Sequence, residues 1–439
     1  MTNHQSLGKT PGFFHAMLKA LQFENASNDA FKKLTDGEWH EMLEFGDLAH
    51  LTLYLADVLR EVAPDWVIAR LGSNLADNKV RSLSIKNEYI EIARTLKKAE
   101  VTYLLIKGFT LYPEFVDNEY LRFQSDIDFY CSKDAMDRAC EAFTQLGYEP
   151  DQTLRKAPAD HLPVMARKTG WKWRGNMYDP EMPPSIDLHF CLWNPDTTKL
   201  EVQGVEGFWD RRVMRSVDGF DYPALHPVDN LGYCALHVLR DLQRGDWVIH
   251  HVYEIAWFLH HHAEDDGFWK QWMGMHDRSL RSLETIAFWL ARDWFGCNVS
   301  PLLAKEISQL SPFPERWLQS FSASPLTGMF HPNKDGTWLH ASLLSSWQSK
   351  IEVLKSSLVP TRVPIVGAPG QNTTKTRRRR RFWPSQLYVR YVLHILFRIG
   401  FHARLFLPSV FRGIRLWALW RKRKNTASSG DVSDYSLQF

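Results

Sequence analysis

Ser125 to Cys131 reads SDIDFYC, acids alternating with apolar residues, and a period of two marks a half-buried β-strand. Successive strand side chains point to opposite faces, so Asp126 and Asp128 share one face while Ile127 and Phe129 turn to the core. SIDLHF, from Ser185 to Phe190, has the same parity: Asp187 and His189 face one way, Ile186, Leu188 and Phe190 the other. Two such strands can bring three carboxylates together. Acids at close range repel one another, and three are tolerated chiefly when a divalent cation neutralises them; oxygen ligands suit hard Mg²⁺ or Mn²⁺.

Outward from this pair, VTYLLIKG (101–108) is a short apolar run ending in Lys-Gly, and DAMDRACEAFTQLGYEP (134–150) reads as a helix closing on Gly147. Strand, helix and strand imply a sheet. Apolar residues at three- and four-residue spacing predict helices from Phe13 to Lys98 and again from Asp229 to about Phe321. The expected fold class is α+β, a small mixed sheet with helices, flanked by N-terminal and C-terminal helical subdomains. The expected divisions are a helical subdomain over 1–98, the α/β core over 99–228, a second helical subdomain over 229–359, a linker over 360–376 rich in Pro, Gly and polar residues, and a basic tail over 377–439.

Composition narrows the class. Hydrophobic residues at 44% and charged ones at 23% are globular values, and 18 Trp with 26 Phe predict helices packed through large aromatic side chains, which argues against wholesale disorder. Five cysteines without a CxxC pair suggest neither a disulfide framework nor a zinc ribbon. No secretory pattern and no run of eighteen apolar residues is read, so a cytoplasmic location is expected. The net charge of +3 hides a split: residues 371–425 carry 15 Lys or Arg and no acid, which leaves an acidic body of about −10.

LLIKGFTLYPEFVDNEYLRFQSDIDFYC (104–131), the amphipathic helix, Leu-Gly-Tyr and then IDLHFCLW (186–193) together resemble a family of uncharacterised nucleotidyltransferases related to the polymerase-β-like superfamily. The resemblance continues more loosely through the helices after His226, where the family often has an Asp and this chain has Tyr253-Glu254. It implies a nucleotidyltransferase-type sheet, with Lys107 and Gly108 on the family's Lys-Gly, Arg122 on its Arg, and Ser125, Asp126 and Asp128 on its SDxD. Asp126 and Asp128 would hold the metal that grips a nucleoside triphosphate; Asp187, as third acid, would bind a second metal or activate an acceptor hydroxyl. Lys107, Gly108, Arg122 and Ser125 would serve the phosphates. The implied activity moves a nucleotidyl group, AMP from ATP, to a small-molecule, glycan or peptide acceptor, as in polysaccharide or modified-peptide biosynthesis. Phosphoryl transfer would use the same metals. The alternatives are a non-catalytic nucleotide- or nucleic-acid-binding module, and a membrane-docked scaffold.

Other features have plainer readings. His189 orients a carboxylate or meets substrate, or else braces the sheet; His237 and Asp241 at i, i+4 line a cleft or, the preferred reading, form a pair between helices; and the His run at 260–262 reads as a solvated helix end. No GxSxG, HExxH or GxxxxGK[ST] is present. In the tail, Arg390, His394, Arg398 and His402 share one face of a basic amphipathic helix that Pro408 is expected to break, with Arg412, Arg415 and RKRK (421–424) beyond. An anionic membrane surface, met by residues 377–424, is the expected partner, ahead of nucleic acid and of packing on the protein itself.

Overall fold

The computed structural model describes residues 10–150, 160–358 and 400–415, with Ala418. The linker at 360–376, the tail up to residue 399 and the RKRK segment lie outside the described residues.

A seven-stranded mixed sheet has the order β3-β4-β5-β2-β1-β7-β6. Its middle is β1 (Tyr103–Ile106), β2 (Asp126–Cys131) and β5 (Ser185–His189), the three stretches read from the sequence. β1 and β2 are antiparallel, while β2 and β5 run parallel. The short strands β3 (Tyr148–Pro150) and β4 (Met165–Arg167) extend one edge; a hairpin, β6 (Val213–Val217) and β7 (Phe220–Ala224), closes the other.

The helices sort by sheet face. We name α1 (Gly12–Ala20), α2 (Asp36–Leu48), α3 (Asp65–Lys98), α4 (Met136–Gln145), α5 (Pro227–Arg244), α6 (Ile249–His261), α7 (Asp266–Met275) and α8 (Arg278–Phe295); shorter helices follow between 301 and 358. α2 starts on a capping box, in which Thr35 accepts from the Glu38 amide and Glu38 accepts from the Thr35 amide. The apolar run after it does not continue as one helix: α2 ends at Leu48, and the chain turns through His50 before a 3₁₀ turn at Leu53–Leu55. α5 opens with Pro227 in its first turn and the His226 ring capping the Val228 amide.

One sheet face, carrying Leu105, Ile127, Phe129, Ile186 and Leu188, packs on α4 and the C-terminal half of α3 through Phe143, Tyr89, Ile92 and Leu96. Leu104 and Ile106 belong instead to a larger core that gathers residues from Phe13 to Val353, including most of α5, α6 and α8. α3 is 34 residues long and serves both cores, Val67 and Leu71 in the larger and Ile85 onward in the smaller. The acids of β2 and β5 therefore point into the seam between the sheet and α5 and α6.

Residues 400–415 are helical without interruption, so Pro408 does not break this helix. Pro408 is exposed, where water can meet a carbonyl left without its amide partner. The helix docks on the body. Trp338 Nε1 donates to Ser409, Arg412 Nε lies 3.0 Å from Asp335 Oδ1, and Gly413 sits so close to the Trp338 ring that a Cβ would meet it at 2.4 Å.

Candidate functional site

The register of β2 against β5 sets Asp128 directly beside Asp187, with Asp126 one pleat back opposite Ser185. Asp128 is 3% exposed. Its Oδ1 accepts from two sides, from Lys107 Nζ at 2.5 Å and from His189 Nε2 at 2.9 Å. Lys107 arrives from the end of β1, where Ile106 pairs with Asp128. Lys107 and Gly108 both have positive φ, +57° and +55°, and the turn they make is crowded: a Cβ on Gly108 would lie 2.5 Å from Gln124 Nε2. That same Gln124 amide donates to the Asp126 carbonyl at 2.6 Å, so the turn after β1 braces the start of β2.

Two further residues complete the seam. Asp160 lies 4.0 Å from His189 Nδ1 and is bonded by Arg240 of α5. Four acids, Asp126, Asp128, Asp160 and Asp187, thus face Lys107 and Arg240, with Arg122 also acting on Asp126. The excess of negative charge shows in the proton affinities. Burial, then Asp128, lifts Asp126 to about 6, and burial with Asp128 and Asp126 lifts Asp187 to about 8. Burial acts on Asp128 in the same sense, but Lys107 and His189 outweigh it and hold this carboxyl well below the usual range. Asp187 Oδ1 is buried with no hydrogen-bond partner. A shared divalent cation is the ordinary relief for such a set, and the oxygen-rich donors fit Mg²⁺ or Mn²⁺. The ligand atoms of Asp128, Asp187 and His189 lie within 4.8 Å of one another; Asp126 stands beside that group rather than in it.

Arg122 takes a different position from the acids. Its Nε donates to Glu254 Oε1 of α6 at 2.8 Å, and the Tyr54 hydroxyl donates to the same oxygen at 3.0 Å. Burial would raise Glu254, yet Arg122 and His251 hold it down to about 2. The loop carrying Arg122 is fixed from α3: Asn78 Nδ2 donates to the carbonyls of Tyr120 and Arg122, and Arg81 Nε to that of Gln124. Ser125 is exposed at the mouth of β2. Gly108 is buried under Gln124, and the turn it opens is a 3₁₀ turn of four residues, Gly108–Leu111.

Sequence reasoning missed Asp160, Arg240, Glu254 and Tyr54. Glu254 carried a signal, since it stands in the helix where the family often has an Asp. The other three are joined to the site across 80 residues or more, with no local pattern to announce them. His189 orients Asp128, the first of its readings. His237 Nε2 lies 3.5 Å from Asp241 Oδ2, and the 260–262 run sits at the end of α6 with His260 and His261 stacked on Phe23 and Trp257.

A family model described as an uncharacterised nucleotidyltransferase matches residues 35–296, which takes in the sheet, α2 to α8 and every residue of the seam. Comparison with curated proteins and with solved structures gave no match.

Proposed function

The chain belongs to this family of uncharacterised nucleotidyltransferases, and from that premise we propose that it transfers a nucleotidyl group, AMP from ATP, to an acceptor hydroxyl on a small molecule, glycan or peptide. The observation that carries this reading is the Asp128–Asp187 register with Asp126 on the same face and one Asp187 oxygen left without a partner. Asp126, Asp128 and Asp187 would hold Mg²⁺ or Mn²⁺, which neutralises the carboxylates and the triphosphate when bound.

The chain's own residues do the rest. Lys107 offers an ammonium at the floor of the site, held above its ordinary value by Asp128 and Asp126 against the pull of burial, and so charged at any working pH. With Gly108 and Ser125 at the turn and the mouth, it is the group for a phosphate oxygen. Arg122 acts through its Glu254 pair to hold the loop before β2, with its charge turned toward Asp126. In the transfer, the acceptor oxygen bonds to the α-phosphorus, the bond to pyrophosphate breaks, and the hydroxyl proton passes to Asp187 Oδ1. We extend the proposal to an anionic membrane surface, met by residues 377–424 at the inner face of the membrane.

A second reading is favoured by one contact. The Lys107 ammonium already lies on Asp128, as an internal counter-charge would in a module that binds nucleotide without turning it over. A magnesium-dependent titration of the four nucleoside triphosphates separates the cases, run on the wild type and on Asp126→Asn/Asp128→Asn, with labelled AMP and labelled phosphate followed onto product. Selective binding lost in the double variant, with AMP appearing on an acceptor, is the expected result. Label on phosphate alone would make it a phosphoryl transferase. No binding by a folded wild type, with Mn²⁺ also tried, would overturn the proposal.

A further inference from the structure

Behind the acids, α5 and α6 place two imidazoles and a carboxylate together. His237 and Asp241 lie one turn apart on α5, and His251 faces them from α6, its ring 4.6 Å from that of His237. One ligand atom from each lies within 4.8 Å of the others. The family assignment gives none of these residues a role.

We propose that His237, Asp241 and His251 form a second metal site, for a borderline transition ion of the Zn²⁺ type, that ties α5 to α6. The spacing argues for an ion rather than a direct pair. His237 Nε2 and Asp241 Oδ2 are 3.5 Å apart, too long for a charge-assisted hydrogen bond. Donors bound at ~2.0 Å to a tetrahedral ion sit roughly 3.3 Å from one another, close to the His237–Asp241 separation. The donor set also fits: imidazole nitrogen with one carboxylate suits Zn²⁺, whereas an all-oxygen set suits Mg²⁺.

The outer groups are arranged as metal ligands require. His251 Nδ1 faces Glu254 Oε2 at 3.5 Å, so a small closure would give the carboxylate–histidine arrangement common around zinc, with Nε2 as the ligand atom. Asp241 Oδ1 is occupied by Arg240 Nε at 3.3 Å, leaving Oδ2 toward His237. Three protein ligands leave a fourth position, and His237 and His251 both line the narrow pocket that also holds Lys107 and Arg122.

The test uses the full chain, stripped with a chelator, reloaded with Zn²⁺ in excess Mg²⁺ and analysed for bound metal, with Co²⁺ substitution read by visible absorption. About one equivalent of Zn²⁺ is expected in the wild type, with an intense Co²⁺ band of a four-coordinate site. The Asp126→Asn/Asp128→Asn variant should keep both. His237→Gln/His251→Gln should lose both. Where that variant fails to fold, Asp241→Asn should still shift the Co²⁺ spectrum and weaken Zn²⁺ binding at least tenfold. Absence of bound Zn²⁺ in reloaded wild type, or binding and spectrum unchanged in these variants, would refute the site. Because the readout is metal content rather than turnover, failure here leaves the nucleotidyltransferase reading standing.

Discussion

In the proposed transfer Asp187 takes the hydroxyl proton, and it is the one acid of the three with a buried oxygen that has no hydrogen-bond partner. Asp128 is held by Lys107 and His189. Replacing Asp187→Asn keeps the shape and removes the carboxylate that would accept the proton in the proposed transfer. Turnover should fall on the order of 10²–10⁴-fold while triphosphate affinity changes by a few-fold at most, measured by product formation beside binding titration. Equal losses in both would make Asp187 a binding residue only. The three acids were legible in the sequence because strand parity is a local property: a two-residue period decides the face. Their surroundings were not. Glu254 meets Arg122 across 132 residues and Arg240 meets Asp160 across 80, and such contacts exist only after the helices have docked on the sheet.

At the scale of elements, the middle strands and the helices flanking them could be read directly, but both sheet edges were missed. β3 and β4 have three residues each, too few for a period to show. The β6–β7 hairpin had a usable signal, the Asp218-Gly219 turn between alternating runs, but its exposed residues are mixed in polarity. An internal ion cluster joins α5 to α8. His276, after α7, lies 2.9 Å from Asp229 of α5 and 2.8 Å from Glu284 of α8, while Arg211 grips Asp229 with two hydrogen bonds. Gly232 makes room for it; a Cβ there would lie 2.5 Å from Glu284 Oε1. Gly232→Ala should cost about 1–3 kcal/mol in denaturant unfolding, and a cost near zero would show that the cluster can shift. Burial disfavours the imidazolium, but Asp229 and Glu284 hold His276 up to about 9. A group raised on folding stabilises most below its unfolded value of 6.5, and that contribution is lost as pH rises through about 9. The melting temperature should accordingly fall between pH 7 and 9.5, and His276→Gln should flatten that fall. An identical slope in the variant would assign it to other groups.

The whole molecule is divided in charge and presents an exposed helix face. The body is acidic, and its basic counterpart is gathered after residue 371. The helix over 400–415 is anchored to Trp338 and Asp335 by Phe406, Ser409, Arg412 and Gly413, so it has a defined inner side. Its outer side carries apolar side chains among exposed arginines: Leu407, Phe411 and Ile414 are 59%, 73% and 56% exposed and recur at helical spacing, beside Arg404 and Arg415. No helix among the described residues is long and apolar enough to cross a membrane; on the proposed anionic surface this face would lie in the interface. Apolar insertion and cationic attraction act together there, and each can be removed alone. Leu407→Ser/Phe411→Ser/Ile414→Ser leaves the anchoring residues and every charge in place, and each lost side chain withdraws about 1.5–3 kcal/mol of apolar burial. Partition onto vesicles rich in anionic lipid should drop by 10²-fold or more, while the wild type should bind neutral vesicles weakly and lose anionic binding as salt rises. Undiminished binding by the triple variant would leave only the charge, and preferential capture by nucleic acid with a steep salt dependence would then identify phosphate backbones as the partner of the tail.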